Sequence, residues 1–339
     1  MLVHGNEMMR AVVVAEPGGL ECLKLKKVRE PLPGWGEVQI QISYAACNWS
    51  DIQRRQGVYP DPMTYPAIIG LEVSGVVSVV GPGVRNFRVG DRVAAITGPK
   101  FLGGFADRCV AGTPYVIPLP ETISLEMGAA FPVVALTAYH LLHSAYRLRK
   151  GETILIHAIG GAVGLLLTQI AVRQGATVIG TVGTPSKAAR ALSYGAVQVV
   201  DRRNEDFVEA ALTLTGGRGL DLVIDSLGAD ILPRSFDALR TYGRVINIGE
   251  AAGYPNFEIR PKLYERSTSL AGFELHHAEA GSPRWLRGLR YVLGGLEEGW
   301  LEVPIEGIYD FEDCRTAQRR LEARGVNGKL LLRTGAEGG

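Results

Sequence analysis

The residues with the plainest chemical potential lie where the chain reads Ile159-Gly160-Gly161-Ala162-Val163-Gly164. They follow a β-branched run, "TILIHA", and precede an apolar helical pattern that continues to Arg173. A glycine turn between strand and helix lets backbone approach a pyrophosphate. The helix start adds unpaired N–H groups and the positive end of a dipole. Gly161 and Gly164 fill the second and third places of G-x-G-x-x-G, which serve close ligand approach and close helix–strand packing. Ile159 stands in the first place, and Gly160 beside it is expected to keep the turn pliable. A ligand-free βα turn can carry the same glycines, so the motif alone is weak.

The next strand end separates the two nicotinamide dinucleotides. An NAD site usually places an acid about 20 residues past the glycines, on the ribose 2′-OH. Here "TVGTPSK" supplies Gly183, Thr184, Ser186 and Lys187 with no acid, and "DRRNED" brings Arg202 and Arg203 after the third strand. Missing carboxylate and nearby cations suit a 2′-phosphate, hence NADPH; the plainer alternative is solvated surface charge. Ligands sit at the carboxyl ends of parallel strands. Asn247, Ile248 and Gly249, together with Thr137 in "LTAY", are therefore expected to flank the nicotinamide, and Ser226 and Gly228 to lie along the adenosine or pyrophosphate.

These residues need a parallel sheet to position them. From Lys150 the chain alternates strand and helix through five strand-like runs, "TILIHA", "TVIGTV", "VQVV", "LDLVID" and "RVINIG". Such alternation predicts a doubly wound unit. Before it, "EVQIQISYAA" alternates as a half-buried strand, and "GVVSVVGPGVRNFRVGDRVAAI" gives two strands punctuated by glycine and proline. That region reads as a small, partly closed β-barrel. After about Leu275 come a helix with Ser282 as N-cap and Pro283 first, a second helix in "EDCRTAQRRLEARG", and a last strand, "GKLLLR". A length of 339 residues also predicts two domains. Lys+Arg 36 against Asp+Glu 35 argues against a nucleic-acid partner, because phosphate backbones are held by basic surfaces. No apolar run is long enough to span a membrane, and "MLVHGNEMMR" lacks a signal-peptide pattern. The four cysteines contain no C-x-x-C, so a reduced, cytoplasmic setting is expected.

On the segments "CNWSDIQRRQGVYP", "YPAIIGLEVSGVVSVVGPGV", "GDRV", "FPVVALTAYHLL", "HAIGGAVG", "GTVGTPSKA" and "GGRGLDLVIDSLG", residues 10–333 resemble the medium-chain dehydrogenase/reductase superfamily. Within it they are most similar to the zinc-independent quinone oxidoreductases, the zeta-crystallin branch. The resemblance implies an α/β protein with a GroES-like β-barrel domain from 1–136 and 274–339, and a Rossmann domain, the doubly wound parallel sheet, over 137–273. It implies a cofactor bound in the cleft and a homodimer built on Rossmann edge strands, for which "AAGYPNFEI" is the candidate edge. It also marks Ala162 as a departure from the family's glycine.

Zinc members of the superfamily need Cys, His and Cys with an open position. The first ligand position matches Asn48, the histidine of G-H-E is Leu71, and "PVVAL" offers neither Cys nor His. The structural-zinc lobe is also missing, since "ITGPKFLGGFADRC" carries a single cysteine. No metal site is therefore expected. His140 and His143 share a helix face without a third ligand nearby, and His276–His277 reads as an exposed loop. Without a Lewis acid, alcohol oxidation is impaired, whereas reduction of an electron-poor quinone or enone remains practical.

Two candidate catalytic residues follow from the resemblance. Asn48 is expected to donate its amide to a substrate oxygen, or to be a turn residue. Tyr59 matches a substrate-lining tyrosine whose phenol can donate a proton, and it reads equally as loop packing. Tyr65 is a weaker alternative, Asp51 reads as structural, and His157 as strand-end packing. Asn327 and Lys329 resemble the family's C-terminal cofactor contact. The expected activity is hydride transfer from NADPH to a quinone or α,β-unsaturated carbonyl. An enoyl-thioester reductase and a non-catalytic NADPH-binding, crystallin-like protein are the alternatives.

Overall fold

The computed structural model describes residues 3–335 and groups them into two compact units. The first runs up to Val133 and takes in 280–286 and everything from Val303; the second comprises 134–279 and 287–302. Relative to the boundaries expected from sequence, 134–136, 274–279 and 287–302 join the Rossmann unit. Reciprocal bonds explain part of this: Glu302 N–H donates to Gln169 Oε1 (2.8 Å) and Gln169 Nε2 donates to the Glu302 carbonyl (2.9 Å).

In the second unit six parallel strands stand in the order Gln198–Asp201, Thr177–Val182, Thr153–Ile156, Leu220–Asp225, Leu239–Asn247 and Ser269–Gly272. Numbered along the chain this is 3-2-1-4-5-6, the Rossmann order, which reverses direction beside the first strand. Thr153–Ile156 is buried at every residue, as a central strand covered on both faces must be. The sixth strand was not expected from sequence. "SLAG" is too short and too small-sided to show a pattern. It forms the sheet edge, whereas the "AAGYPNFEI" segment expected there is turn and coil leading into helix Ile259–Glu265. The helix expected over "ADILPRSFDALRTYG" is also shorter. It occupies Ile231–Ser235, and the chain has already become strand at Leu239.

The first unit holds a seven-stranded sheet ordered Ile305–Asp310, Lys329–Arg333, Glu37–Cys47, Glu72–Val80, Arg92–Ile96 and Val116–Pro118, with Arg108–Gly112 also paired to Glu37–Cys47. A second sheet of three strands pairs Val3–Val14 with Leu23–Leu32 and Ala67–Ile68. The long strand Glu37–Cys47 carries register shifts near Ile40 and between Ile42 and Tyr44. Such bulges bend a strand and change which side chains face the core, and bending closes small barrels. Val38, Ile40 and Ile42 lie in one apolar core with Val73, Val93, Phe105, Leu330 and Leu332. Tyr44, past the bulge, is half-buried and donates to Glu126 (2.7 Å). All four cysteines are free thiols.

Candidate active site

The glycine turn folds as a cradle, with one difference from the sequence expectation. Helix Ala162–Arg173 starts from Gly161 as N-cap, so its first-turn N–H groups lack partners within the helix. A Cβ on Gly164 would lie 2.6 Å from the Ile159 backbone, which enforces glycine there. A Cβ on Gly161 would meet only the Ala158 carbonyl, at 3.3 Å. That leaves the approach side of Gly161 open. The left-handed residue is Ala158, with φ of 52°, rather than Gly160. Gly161 N–H closes the turn on the Ala158 carbonyl (2.8 Å), and Ile159 N–H bonds the Thr181 carbonyl (3.0 Å). Ile159 is fully buried against Gly180, where a Cβ would come within 2.3 Å of its side chain. The bulky residue in the first glycine place thus fills space vacated by a glycine on the next strand.

Lys187 lies against the cradle, and Arg202 lies against the end of the next strand. A Cβ on Gly160 would lie 2.7 Å from Lys187 Cβ, and one on Gly183 would lie 2.5 Å from an Arg202 guanidinium nitrogen. Lys187 closes a short turn on Thr184, with Ser186 exposed between them. Arg203 is exposed, and Asp201 spends its carboxylate on the turn, accepting from the Arg203 N–H (3.2 Å) and Asn204 Nδ2 (2.7 Å). Glycines, two cations and a helix start therefore share one strand-end surface. These groups fit a phosphorylated dinucleotide.

Further along the same sheet edge, buried Asp225 organises the loops. Its carboxylate accepts from the N–H groups of Leu227 (2.9 Å) and Gly228 (3.1 Å) and from Asn247 Nδ2 (3.1 Å). Burial holds this carboxyl above its ordinary range. Asn247 also donates to the Gly249 carbonyl (3.1 Å), so Ser226, Gly228, Asn247, Ile248 and Gly249 belong to one bonded set of loop ends. In the sequence Asp225 closes the strand run "LDLVID", and that strand-end place is the signal that marks it. His157 is buried, with its ring nitrogens 3.0 Å from Thr181 Oγ1 and Ser235 Oγ. Burial first, then the charges of Arg202 and Arg234, push it down to about 3. It is a neutral packing residue. Thr137 is half-buried on helix Pro132–His140.

The other candidates gather in the first unit around a buried ion pair. Lys329 Nζ donates to Glu72 Oε1 (2.5 Å) and Asn48 Oδ1 (2.7 Å), and Asn48 Nδ2 donates to the same Glu72 oxygen (3.0 Å). Glu72 Oε2 accepts the Val133 N–H (2.8 Å). Lys329 is 2% exposed and Glu72 is fully buried. Asn48 opens helix Trp49–Gln56, and Asp51 accepts its backbone N–H (2.8 Å) and that of Gly70 (3.2 Å). Burial pushes Asp51 up to about 7, against the pull of the Asn48 N–H and the Lys329 and Arg54 charges. Gly57, with φ of 73°, ends the helix and releases the chain toward Tyr59. The Tyr59 ring is half-buried beneath the Arg54 guanidinium, 4.1 Å from its centre.

Three further residues singled out from sequence lie in or beside this cluster. Lys329 turns inward to Glu72 and Asn48, because a buried carboxylate demands a partner. Asn327 anchors the preceding turn through its backbone N–H to Glu306. Tyr65 donates its hydroxyl to the Arg54 carbonyl (2.5 Å), which makes it a helix-end brace. Glu72 was missed. It adjoins Leu71 in "GLE", and an acid opening a β-branched strand was the available signal. The residues do not fit a tetrahedral zinc: an amide, a leucine and the apolar segment Pro132–Leu136 stand where its ligands would align, and the Lys329 ammonium lies against Asn48.

Together, a Rossmann sheet with a phosphate cradle and a GroES-like barrel define a nucleotide-linked dehydrogenase or reductase. Two family profiles match the chain: "Alcohol dehydrogenase GroES-like domain" over residues 34–143 and "Zinc-binding dehydrogenase" over residues 162–281. A quinone oxidoreductase of Pseudomonas aeruginosa is 34% identical, over 96% of this chain and 99% of its own. Among solved structures, the Pseudomonas syringae quinone oxidoreductase superposes with a TM-score of 0.91 at 33% identity, covering 96% of this chain and all of its own. The Escherichia coli quinone oxidoreductase complexed with NADPH gives 0.90 at 31%, covering 96% and 99%. The chain belongs to the quinone oxidoreductase branch of the medium-chain dehydrogenase/reductase superfamily.

Proposed function

We propose that this protein uses NADPH to reduce a quinone or a carbonyl-conjugated alkene, without zinc. The observation that carries the reading is the Gly160–Gly164 cradle with Lys187 against Gly160 and Arg202 against Gly183 on the next strand. When bound, NADPH supplies the hydride. Gly161 and the first turn of helix Ala162–Arg173 receive the pyrophosphate, and Lys187 and Arg202 receive the 2′-phosphate. Ser226, Gly228 and the Asn247–Gly249 strand end line the remaining cofactor, with Thr137.

On the substrate side the proposal assigns Asn48 and Tyr59. Asn48 Nδ2 makes one good bond to Glu72 and one long bond, 3.4 Å, to the Ala46 carbonyl. A substrate oxygen would displace only the weaker of these. Lys329 and Glu72 fix the amide's orientation, and Tyr59 donates as charge develops on oxygen. The protein acts as a homodimer through the Ser269–Gly272 edge, because pairing would cover exposed strand N–H and C=O groups. Light scattering giving a monomer at micromolar concentration would reject that assembly. Among the described residues no helix is long and apolar enough to cross a membrane, and we place the protein in the cytoplasm.

A screen of NADPH oxidation over quinones, enals and enoyl thioesters tests the activity. Turnover of a quinone or enal that survives chelation is expected. A preference for enoyl thioesters would favour the acyl-reductase alternative, and no oxidation of any acceptor would favour a binding protein. Tyr59→Phe should lower kcat for an enone while leaving NADPH affinity nearly intact, since the hydroxyl acts only in the transition state. Unchanged kcat would assign Tyr59 to packing.

A further inference from the structure

The residues that lack a role in this reading include two adjacent histidines in the second unit. Glu274, His276 and His277 each present a ligand atom, and the three atoms lie within 4.8 Å of one another. His276 Nδ1 is 2.8 Å from Glu274 Oε2, and the two imidazole centres are 3.9 Å apart. The turn is held by one bond to the neighbouring strand and two within itself. Phe273 N–H bonds the Asn247 carbonyl (3.0 Å), His277 N–H bonds the Glu274 carbonyl (3.3 Å), and Ala278 N–H bonds the Leu275 carbonyl (2.9 Å). Backbone bonds therefore fix the segment that carries all three side chains, which lowers the entropy cost of gathering them.

We infer that Glu274, His276 and His277 form a binding site for a divalent transition-metal ion such as Zn²⁺. Two imidazoles and one carboxylate are a zinc-type donor set that leaves a fourth position for water. With a single carboxylate, the set is poor for Mg²⁺ or Ca²⁺, which require oxygen ligands. A metal ion would replace the His276–Glu274 contact with two coordinate bonds. Glu274 and His276 are half-buried and His277 is exposed, so an ion can enter from solvent and exchange. The site shares no residue with Asn48, Leu71 or the segment Pro132–Leu136, where the superfamily's zinc ligands would align.

The test uses the full chain, stripped with chelator and desalted, and titrated with ZnCl₂ against a chromophoric zinc chelator. One Zn²⁺ per chain is expected, with His276→Ala and His277→Ala each weakening binding at least about tenfold, roughly one lost ligand. Glu274→Gln keeps the shape but removes the charge and should weaken binding as well. Zn²⁺ should raise the Tm of wild type but not of the double histidine variant, because a ligand stabilises only the state that binds it. Metal-free melting of each variant at the wild-type temperature shows that the fold is intact. Binding by wild type no stronger than by the double histidine variant would overturn the inference. So would Mg²⁺ binding that the histidine variants leave unchanged.

Discussion

The Asn48–Glu72–Lys329 cluster of the first unit and the cradle of the second both concentrate charge, in opposite ways. In the cluster an ammonium and a carboxylate are withdrawn from water and saturate each other, with an amide and a backbone N–H taking the remaining contacts. In the cradle, Lys187 and Arg202 are half-buried at strand ends, Lys187 against Gly160 and Arg202 against Gly183. Buried charge must be compensated by the protein itself; charge at an open strand end can be compensated by a ligand. The first arrangement serves rigidity and the second recognition.

The largest effect should come from breaking the internal compensation. Lys329→Met leaves the Glu72 carboxylate buried without its cation. Removing one partner of a buried pair costs about 3–5 kcal/mol, because the remaining charge is stranded. Urea denaturation should show that loss. Adding Glu72→Gln should recover part of it, since a neutral amide needs no counter-ion. A loss below about 1 kcal/mol in the single variant would mean that water already compensates Glu72.

The corresponding change in the cradle should touch binding rather than stability. Arg202→Ala and Lys187→Ala each remove a cation from the expected 2′-phosphate site. A charge-assisted hydrogen bond contributes about 1.5–3 kcal/mol, so NADPH should bind roughly tenfold to a hundredfold more weakly while NADH changes little. The preference should also shrink as salt is added, because these side chains are accessible. Fluorescence titration of both variants with both cofactors reads the effect. Equal wild-type affinities for NADH and NADPH would remove the basis for the assignment.

The two regions also differ in how legible they were. The cradle was readable because its parts are local: turn, helix and following strand lie within about 45 positions, and their glycines and cations face one ligand. Even so, Ile159 made sense only beside Gly180, a cross-strand fit that no local pattern records. The cluster was unreadable for a topological reason. Lys329 and Glu72 are 257 positions apart, and they meet because strand Lys329–Arg333 pairs with Glu37–Cys47, which pairs with Glu72–Val80. Sequence showed that zinc ligands were missing at Asn48 and Leu71; only the fold showed the ammonium beside Asn48. The sixth strand escaped because "SLAG" owes its conformation to its neighbour, Leu239–Asn247, and to no propensity of its own.

The finest version of the comparison concerns protons. His157 in the second unit and Asp51 in the first are both buried, yet their titrations shift in opposite stability senses. His157 falls to about 3 in the folded protein from an ordinary value near 6.5. Its stabilisation is therefore full above 6.5 and is lost as pH falls toward 3, where the unfolded chain holds the extra proton. Asp51 rises to about 7 from 3.8, so its contribution is full below 3.8 and is lost as pH rises through 7. Between 3.8 and 6.5 the two slopes oppose, each about 1.4 kcal/mol per pH unit, and they largely cancel. Replacing His157 with Asn should expose the Asp51 slope. Relative to wild type, the variant's unfolding free energy should then fall by about 1.4 kcal/mol for each pH unit gained between 4 and 6.5. Taking the difference between the two proteins at each pH removes every other titrating group. Urea denaturation at half-unit steps measures that difference, and a flat line would show that His157 titrates alike in the folded and unfolded chains.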